Sequence, residues 1–304
     1  MLKFSFDDPA ELAGWTLAGV AQVTEIYGAY DGTNALLLYA ARLSFGPVLA
    51  FSAASRIVVV RPGSPYTIIV PCAPYAGWGP GIRLVLTITD GGVDTVYTQL
   101  QPIGEDWQLW AAGTYTPTGS VITLKLSAPY PAQGYAGAVL VDSVMLTAPE
   151  MAAAIMAKFE AVQAAMNVFR SIAGPPYRTN LSSRVSSRFA TPTEKPDIEK
   201  PWGSFLQVES PSIYDEPGNS GNRVFRLTGF FFFDDEADTD PMTSPAAKAC
   251  HDFEDDVWEA FVANPTLDGT VERCSLITVD PIYGVMPDYA EVHVTLEIEQ
   301  QLGA

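Results

Sequence analysis

Two histidines, three cysteines and one dense run of carboxylates are the side chains in this 304-residue sequence that would have to carry out proton transfer, metal binding or nucleophilic attack. Histidine changes charge near neutrality without help from its surroundings. Neither His251 nor His293, however, stands at ligand spacing from another histidine or from a cysteine. Cys72, Cys250 and Cys274 are odd in number and widely spaced, with no CxxC pair, which argues against a disulfide framework and a zinc site and fits a reducing compartment. Between Asp234 and Glu259 ten acids stand against the single Lys248. Such a run is a field of charge, whereas acid–base catalysis needs two carboxylates held in different surroundings. Part of it, DDEADTDP, has the composition of a calcium loop. Counted from Glu236, though, Pro241 stands where an EF-hand needs Gly and Ala247 where it needs Glu. No GxSxG, P-loop or GxGxxG pattern occurs. The expectation is a non-enzymatic chain with no catalytic residue, no cofactor and no metal.

Binding chemistry has better material, because exposed aromatic rings can stack on the apolar faces of sugars while polar neighbours take the hydroxyls. Tyr75, Trp78, Trp107, Trp110, Tyr130 and Tyr135 are the candidates in the first half. Most rings of this kind are buried packing residues. Tyr75 and Trp78 are the candidate glycan contacts, since they sit in PCAPYAGWGPG, whose Pro and Gly content marks a surface loop.

The elements that must position these groups fall into two halves. From Phe4 onward short apolar runs alternate with Gly, Pro, Asn and Asp, and no helical periodicity runs longer than about ten residues. Strands are expected at Leu36–Tyr39, Ile57–Val60, Tyr66–Val70, Ile82–Thr89, Thr95–Leu100, Val121–Ser127 and Ala138–Leu146, a count suited to a sandwich or jelly roll over residues 1–148. From Ile155 the stripe Ile155, Phe159, Val162, Met166 and Phe169 predicts a helix that Gly174, Pro175 and Pro176 end. Strands at Phe205–Glu209 and Val224–Phe233 follow, then a helix capped by Thr243 or Ser244 and stopped at Asn264-Pro265, then strands at Val271–Val279 and Tyr289–Gln300. Residues 151–304 are therefore expected to form an α+β domain of order α-β-β-α-β-β, with helices on one face of an antiparallel sheet. In Val224–Phe233 both faces are apolar at the end. The face carrying Phe230 and Phe232 calls for the first domain or another subunit, because each exposed Phe forfeits roughly 1.5–3 kcal/mol.

Charge is segregated as well. Residues 1–150 hold six basic and eleven acidic side chains, 151–233 nine and seven, and 234–304 two and seventeen. The last stretch repels nucleic acid and anionic membranes. The start, MLKFSFDDPA, has no apolar signal core, and no apolar run reaches the length of a membrane span.

FDDPAELAGWTLAG, a GTNALLL strand, SPYTIIV and VLVDSVMLT resemble a jelly-roll carbohydrate-binding module over nearly all of residues 1–148. The resemblance implies that Trp15 is core and that Asp142 helps tie the termini, in some members through a structural calcium. Residues 151–300, with a phenylalanine-rich strand before an acidic turn and a closing strand near the C-terminus, resemble the tail terminator (tail completion) proteins of long-tailed bacteriophages. That resemblance implies a homo-hexameric ring joining the tail tube protein to the head–tail connector protein, in a virion assembled in the host cytoplasm. Phe230 and Phe232 would lie at the subunit contact, and DNA would pass through the lumen without specific binding. Asp234, Asp235, Glu236, Asp238 and Asp240 would then line that lumen as a negative belt. The alternative is a carbohydrate-binding protein whose α+β half is a multimerisation module.

Overall fold

The run NALLLYAAR alternates two apolar sets, and both are buried. Leu36, Leu38 and Ala40 join a core between two sheets, while Ala35 and Leu37 lie in a separate apolar cluster on the other side of the strand. The computed structural model describes residues 1–25, 34–42, 48–50, 52–75, 83–99, 106–128, 136–182, 184–187, 201–206, 213–214, 222–234, 244–286 and 289–301. It divides into two units, Met1–Ile155 and Met156–Ala304.

In the first unit β1 (Leu2–Ser5), the short α1 (Pro9–Leu12), β2 (Trp15–Gly19), β3 (Gln22–Glu25), β4 (Asn34–Arg42) and β5 (Val48–Ala50) come first. Then follow β6 (Ser52–Val59), β7 (Tyr66–Pro74), β8 (Leu84–Asp90), β9 (Val93–Gln99), β10 (Gln108–Tyr115), β11 (Val121–Ala128), β12 (Ala136–Val141) and β13 (Ser143–Thr147). One sheet has the order β1-β13-β7-β12-β4-β3, with β10 also on β7 and β5 on β4; the other has β2-β6-β11-β8-β9. Every pairing among the described residues of the unit is antiparallel. Leu36, Ile68, Val70, Val139 and Val144 from the first sheet meet Ala54, Val58, Leu86, Ile88, Leu124 and Leu126 from the second in a single core, so the unit is a sandwich. Trp15 is in that core, tilted on Phe6 at 5.2 Å.

One expected strand is corrected, and one strand appears that the sequence does not announce. The run Ala138–Leu146 is two strands, β12 and β13, separated at Asp142, whose N–H donates to the Pro71 carbonyl at 3.2 Å. The break lets one stretch of chain pair with β4 and the next with β1, both beside β7. The strand β10 escapes an alternation test because its register on β7 shifts between Ala111 and Gly113. Gly113 has φ +144°, and a Cβ there would lie 2.8 Å from the Tyr97 ring.

The second sequence of elements starts with α2 (Pro149–Ser171), which begins at Pro149, ahead of the first stripe residue Ile155. After β14 (Val185–Ser186), β15 (Trp202–Leu206) and β16 (Ile213–Tyr214) come β17 (Asn222–Asp234), α3 (Pro245–Ala263), β18 (Arg273–Met286) and β19 (Tyr289–Gln301). Ser244 caps α3 by accepting from the Ala247 N–H at 3.0 Å, with Pro245 in the first turn. The sheet order is β14-β15-β17-β19-β18, with β16 on β17. The expected antiparallel sheet is corrected at its edge, where the short β14 pairs parallel to β15. Val162, Met166 and Phe169 of α2 and Cys250, Phe253 and Val257 of α3 share one core with Phe225, Leu227, Phe231 and Phe233 of β17 and the alternate residues of β19. Phe231 lies at its centre, 4.7 Å from both Phe169 and Phe253. Its ring covers Gly203 across the strand pair, where a Cβ would fall 2.4 Å away, so the register position opposite Phe231 has to lack a side chain.

Candidate functional site

On the outer face of the first sheet, pairing geometry builds a trough. Ala138 of β12 pairs with Tyr39 of β4, and on its other side the Ala138 carbonyl accepts from the Tyr75 N–H at 3.1 Å. Tyr75, Ala138 and Tyr39 thus form a cross-strand row with the smallest side chain in the middle. Adjacent strands lie about 4.8 Å apart, so the two tyrosines stand about 9–10 Å apart at their backbones, with a gap between them floored by a methyl group. The next row along the strands is Ala73, Leu140, Leu37 and Gln22. Three of its four members are apolar, and Gln22, exposed on β3, brings an amide to one side. Val20, Gln22, Leu37, Tyr39, Tyr75 and Ala138 line a cavity of about 330 Å³.

The walls are held from beneath. Ser52 Oγ accepts from the Tyr39 N–H at 2.8 Å and donates to the Tyr39 carbonyl at 2.6 Å, pinning the backbone at that ring. Trp107 is 1% exposed and packs with Ala35, Leu37, Ala73 and Leu140. Tyr39 and Tyr75 remain half-buried, with one part of each ring against that cluster. The lining residues include two tyrosines, an apolar floor and one amide, residue types suited to holding a polyhydroxylated ring with apolar faces.

Of the sequence candidates, the structure brings Tyr75 to this trough. Trp107 supports it from within, and Trp110 is buried in the core between the sheets. Trp78, Tyr130 and Tyr135 lie outside the described residues. Tyr39, Leu37 and Gln22 were missed. The available signal was the second apolar set in NALLLYAAR, since a strand with both faces apolar must cover something beyond its core.

Phe232 is 2% exposed, stacked on Trp202 at 5.4 Å, so the ring expected to need another subunit is already covered by a neighbouring strand of its own sheet. Phe230 is half-buried and meets His293 edge-on at 4.7 Å. Asp234 is exposed at the end of β17, while Asp235, Glu236, Asp238 and Asp240 lie outside the described residues.

The remaining polar clusters are ties within the fold. Asp90 accepts from the Thr118 N–H (2.6 Å), Thr118 Oγ1 (2.9 Å), the Tyr115 hydroxyl (2.9 Å) and the Gly119 N–H, and the Thr118 N–H does most to hold its carboxyl below the usual range. Asp256 accepts from the Arg178 and Thr179 N–H groups. Lys248 and then Arg178 hold Asp252 low. His293 Nε2 lies 3.0 Å from Glu291 Oε2. Burial pushes the Cys72 and Cys274 thiols up to about 12, which keeps both protonated and unreactive at neutral pH. Among the described residues no three His, Cys, Asp or Glu side chains are grouped to hold a metal ion. Among them, too, no helix is long and apolar enough to cross a membrane.

No family model and no curated protein matches the chain. Similar solved structures include the carbohydrate-binding module TmCBM61, solved with β-1,4-galactotriose, at 14% identity and TM-score 0.33, over 44% of this chain and 88% of that one. The CBM22-1 xylan-binding domain of Paenibacillus barcinonensis Xyn10C is 21% identical at TM-score 0.33, over 48% of this chain and 94% of that one. The enzymatically active domain of bacteriophage CBA120 tailspike protein 4 is 12% identical at TM-score 0.33, over 47% of this chain and 20% of that one.

Proposed function

We propose that the first unit binds carbohydrate in the trough between Tyr39 and Tyr75, and that the second unit is a multimerisation module. The observation that carries the reading is the row Tyr75, Ala138, Tyr39, which leaves a gap one strand wide between two tyrosines on the outer face of the first sheet. A pyranose has the dimensions and the mixed polarity to fill it. The role is capture without turnover, so bound sugar leaves chemically unchanged. A glycan array probed with the full chain, followed by calorimetry on the best ligand, tests the reading. Tyr39→Ala and Tyr75→Ala should each weaken binding about tenfold or more, on the order of 1–2 kcal/mol of lost ring contact. Full affinity in the double variant, or an array with no ligand at all, would remove glycan binding from this face.

A second reading concerns residues 151–300 and is favoured by the element order that remains when the two-residue strands β14 and β16 are set aside, helix, strand, strand, helix, strand, strand, with residues of both helices in one core with the sheet. It makes the second unit a tail-terminator-like ring of six copies at the head-proximal end of a phage tail, contacting tail tube and connector proteins and passing DNA. Solution mass is the test. A hexamer supports the ring, a dimer or trimer supports a simpler multimerisation role, and a monomer at all concentrations removes both.

A further inference from the structure

Resting on the glycan-binding reading, we infer that the ligand of the trough is an uncharged glycan, and that uronate-bearing or otherwise anionic sugars are excluded. None of the six lining residues is charged, and the hydrogen-bonding groups among them are two phenols and one amide. A carboxylate entering the gap would give up water for an apolar floor made by Leu37 and Ala138, with no cation among the described lining residues to replace it, and an unpaired buried charge is costly. Basic residues are scarce in the whole unit. Among residues 1–150 there are six, of which Lys3, Arg56 and Lys125 lie on β1, β6 and β11, and Arg61 and Arg83 lie outside the strands. Arg42 alone lies on a strand that lines the trough, three residues beyond Tyr39 and so about 10 Å along it. Arg56 is committed elsewhere, paired with Glu11 at 2.8 Å and set over the Phe4 ring.

The far field acts in the same direction. Residues 1–150, with six basic and eleven acidic side chains, carry a net charge of about −5, which repels an approaching polyanion within roughly a Debye length, about 8 Å at physiological salt. The two contributions separate experimentally, because salt screens the far field while leaving the missing cation in the trough unchanged.

The test uses the full chain and length-matched pairs of oligosaccharides, a neutral β-linked pentose or hexose oligomer against an oligouronate, titrated calorimetrically at low and high salt. The expected result is at least tenfold tighter binding of the neutral member, a gap that narrows with salt and does not close. Gln22→Arg, a change at an exposed rim position, should bring oligouronate affinity up by about tenfold while Tyr39→Ala in the same background abolishes it. Equal or tighter binding of the oligouronate by the unaltered chain, and above all such binding lost in Arg42→Gln, overturns the inference and leaves glycan binding standing. If neither member nor any array glycan binds, the functional reading falls and takes this inference with it.

Discussion

Two sheets in this chain carry aromatic rings on the side turned away from their cores, and they deal with them differently. On the first sheet the row Tyr75, Ala138, Tyr39 keeps its centre empty, and the rings stay half-buried at the edges of a cavity of about 330 Å³. On the second unit's sheet Phe232 and Trp202 stand opposite one another in register and stack, so that both fall to 2% exposure. The difference lies in what stands beside each ring. A small neighbour leaves space for a ligand, whereas a large one closes the surface. A strand that is apolar on both sides therefore signals that something is covered, and the residue across the strand pair decides whether the cover is the protein itself.

The comparison breaks most visibly at the core beneath the closed face. Phe231→Ala should cost about 3–5 kcal/mol, since the ring is fully buried between Phe169 and Phe253. Gly203→Ala should cost about 1–3 kcal/mol by forcing a Cβ into that same ring. Denaturant titration followed by hydrogen exchange should place both losses in residues 156–301 and leave protection in the sandwich strands unchanged. Next, Phe232→Ser should cost about 3 kcal/mol and Phe230→Ser about 1 kcal/mol, in proportion to burial. If Phe232→Ser leaves the melting temperature intact and lowers the solution mass instead, the ring serves a subunit contact and Trp202 is not its main cover.

The open face responds in the opposite sense. Ala138→Leu should narrow the gap between the tyrosines and weaken glycan binding at least tenfold, about 1.4 kcal/mol, at a small cost in stability because Ala138 is 8% exposed beside the Trp107 cluster. A stable variant with unchanged affinity would show that sugar does not enter between the rings.

How much of this was legible beforehand depended on how far apart in sequence the deciding residues stand. The alternation in β19 and the stripe and Ser-Pro start of α3 were plain, because their periods and caps are local. Tyr75 was visible through its Pro- and Gly-rich setting. Tyr39 was not, since nothing in ALLLYAAR says that its cross-strand neighbour will be alanine; that depends on a pairing with a strand almost a hundred residues later. Trp202 over Phe232 was hidden for the same reason. The division of Ala138–Leu146 at Asp142 was hidden because β-branched and apolar residues continue through it, and only the Pro71 carbonyl on β7 gives the break its purpose.

The smallest expected effect separates the two units by the way each holds a depressed carboxylate. Asp90, at the edge of the sandwich core, is stabilised as an anion first by the Thr118 N–H and then by hydroxyls, all neutral donors. Asp252 on α3 is stabilised first by Lys248 and then by Arg178, both cations with well-exposed side chains. Both groups bind their proton less readily folded than unfolded, where the pKa is about 3.9, so each contributes stability that is complete above that value and is lost as pH falls through the folded pKa. Acid should therefore destabilise both units from about pH 4 to 5 downward, and never through alkaline titration of these groups. Salt is the discriminator, because it screens exposed ion pairs and barely touches hydrogen bonds from neutral donors. Melting curves of Asp90→Asn and Asp252→Asn at pH 7 and pH 3, in low and high salt, should show the Asp252 difference shrinking with salt at pH 7 and the Asp90 difference holding. Both differences should diminish at pH 3, where the parent carboxylates are themselves being protonated. A salt-sensitive Asp90 difference would mean that the sandwich corner is held by an unrecognised cation rather than by the Thr118–Gly119 backbone.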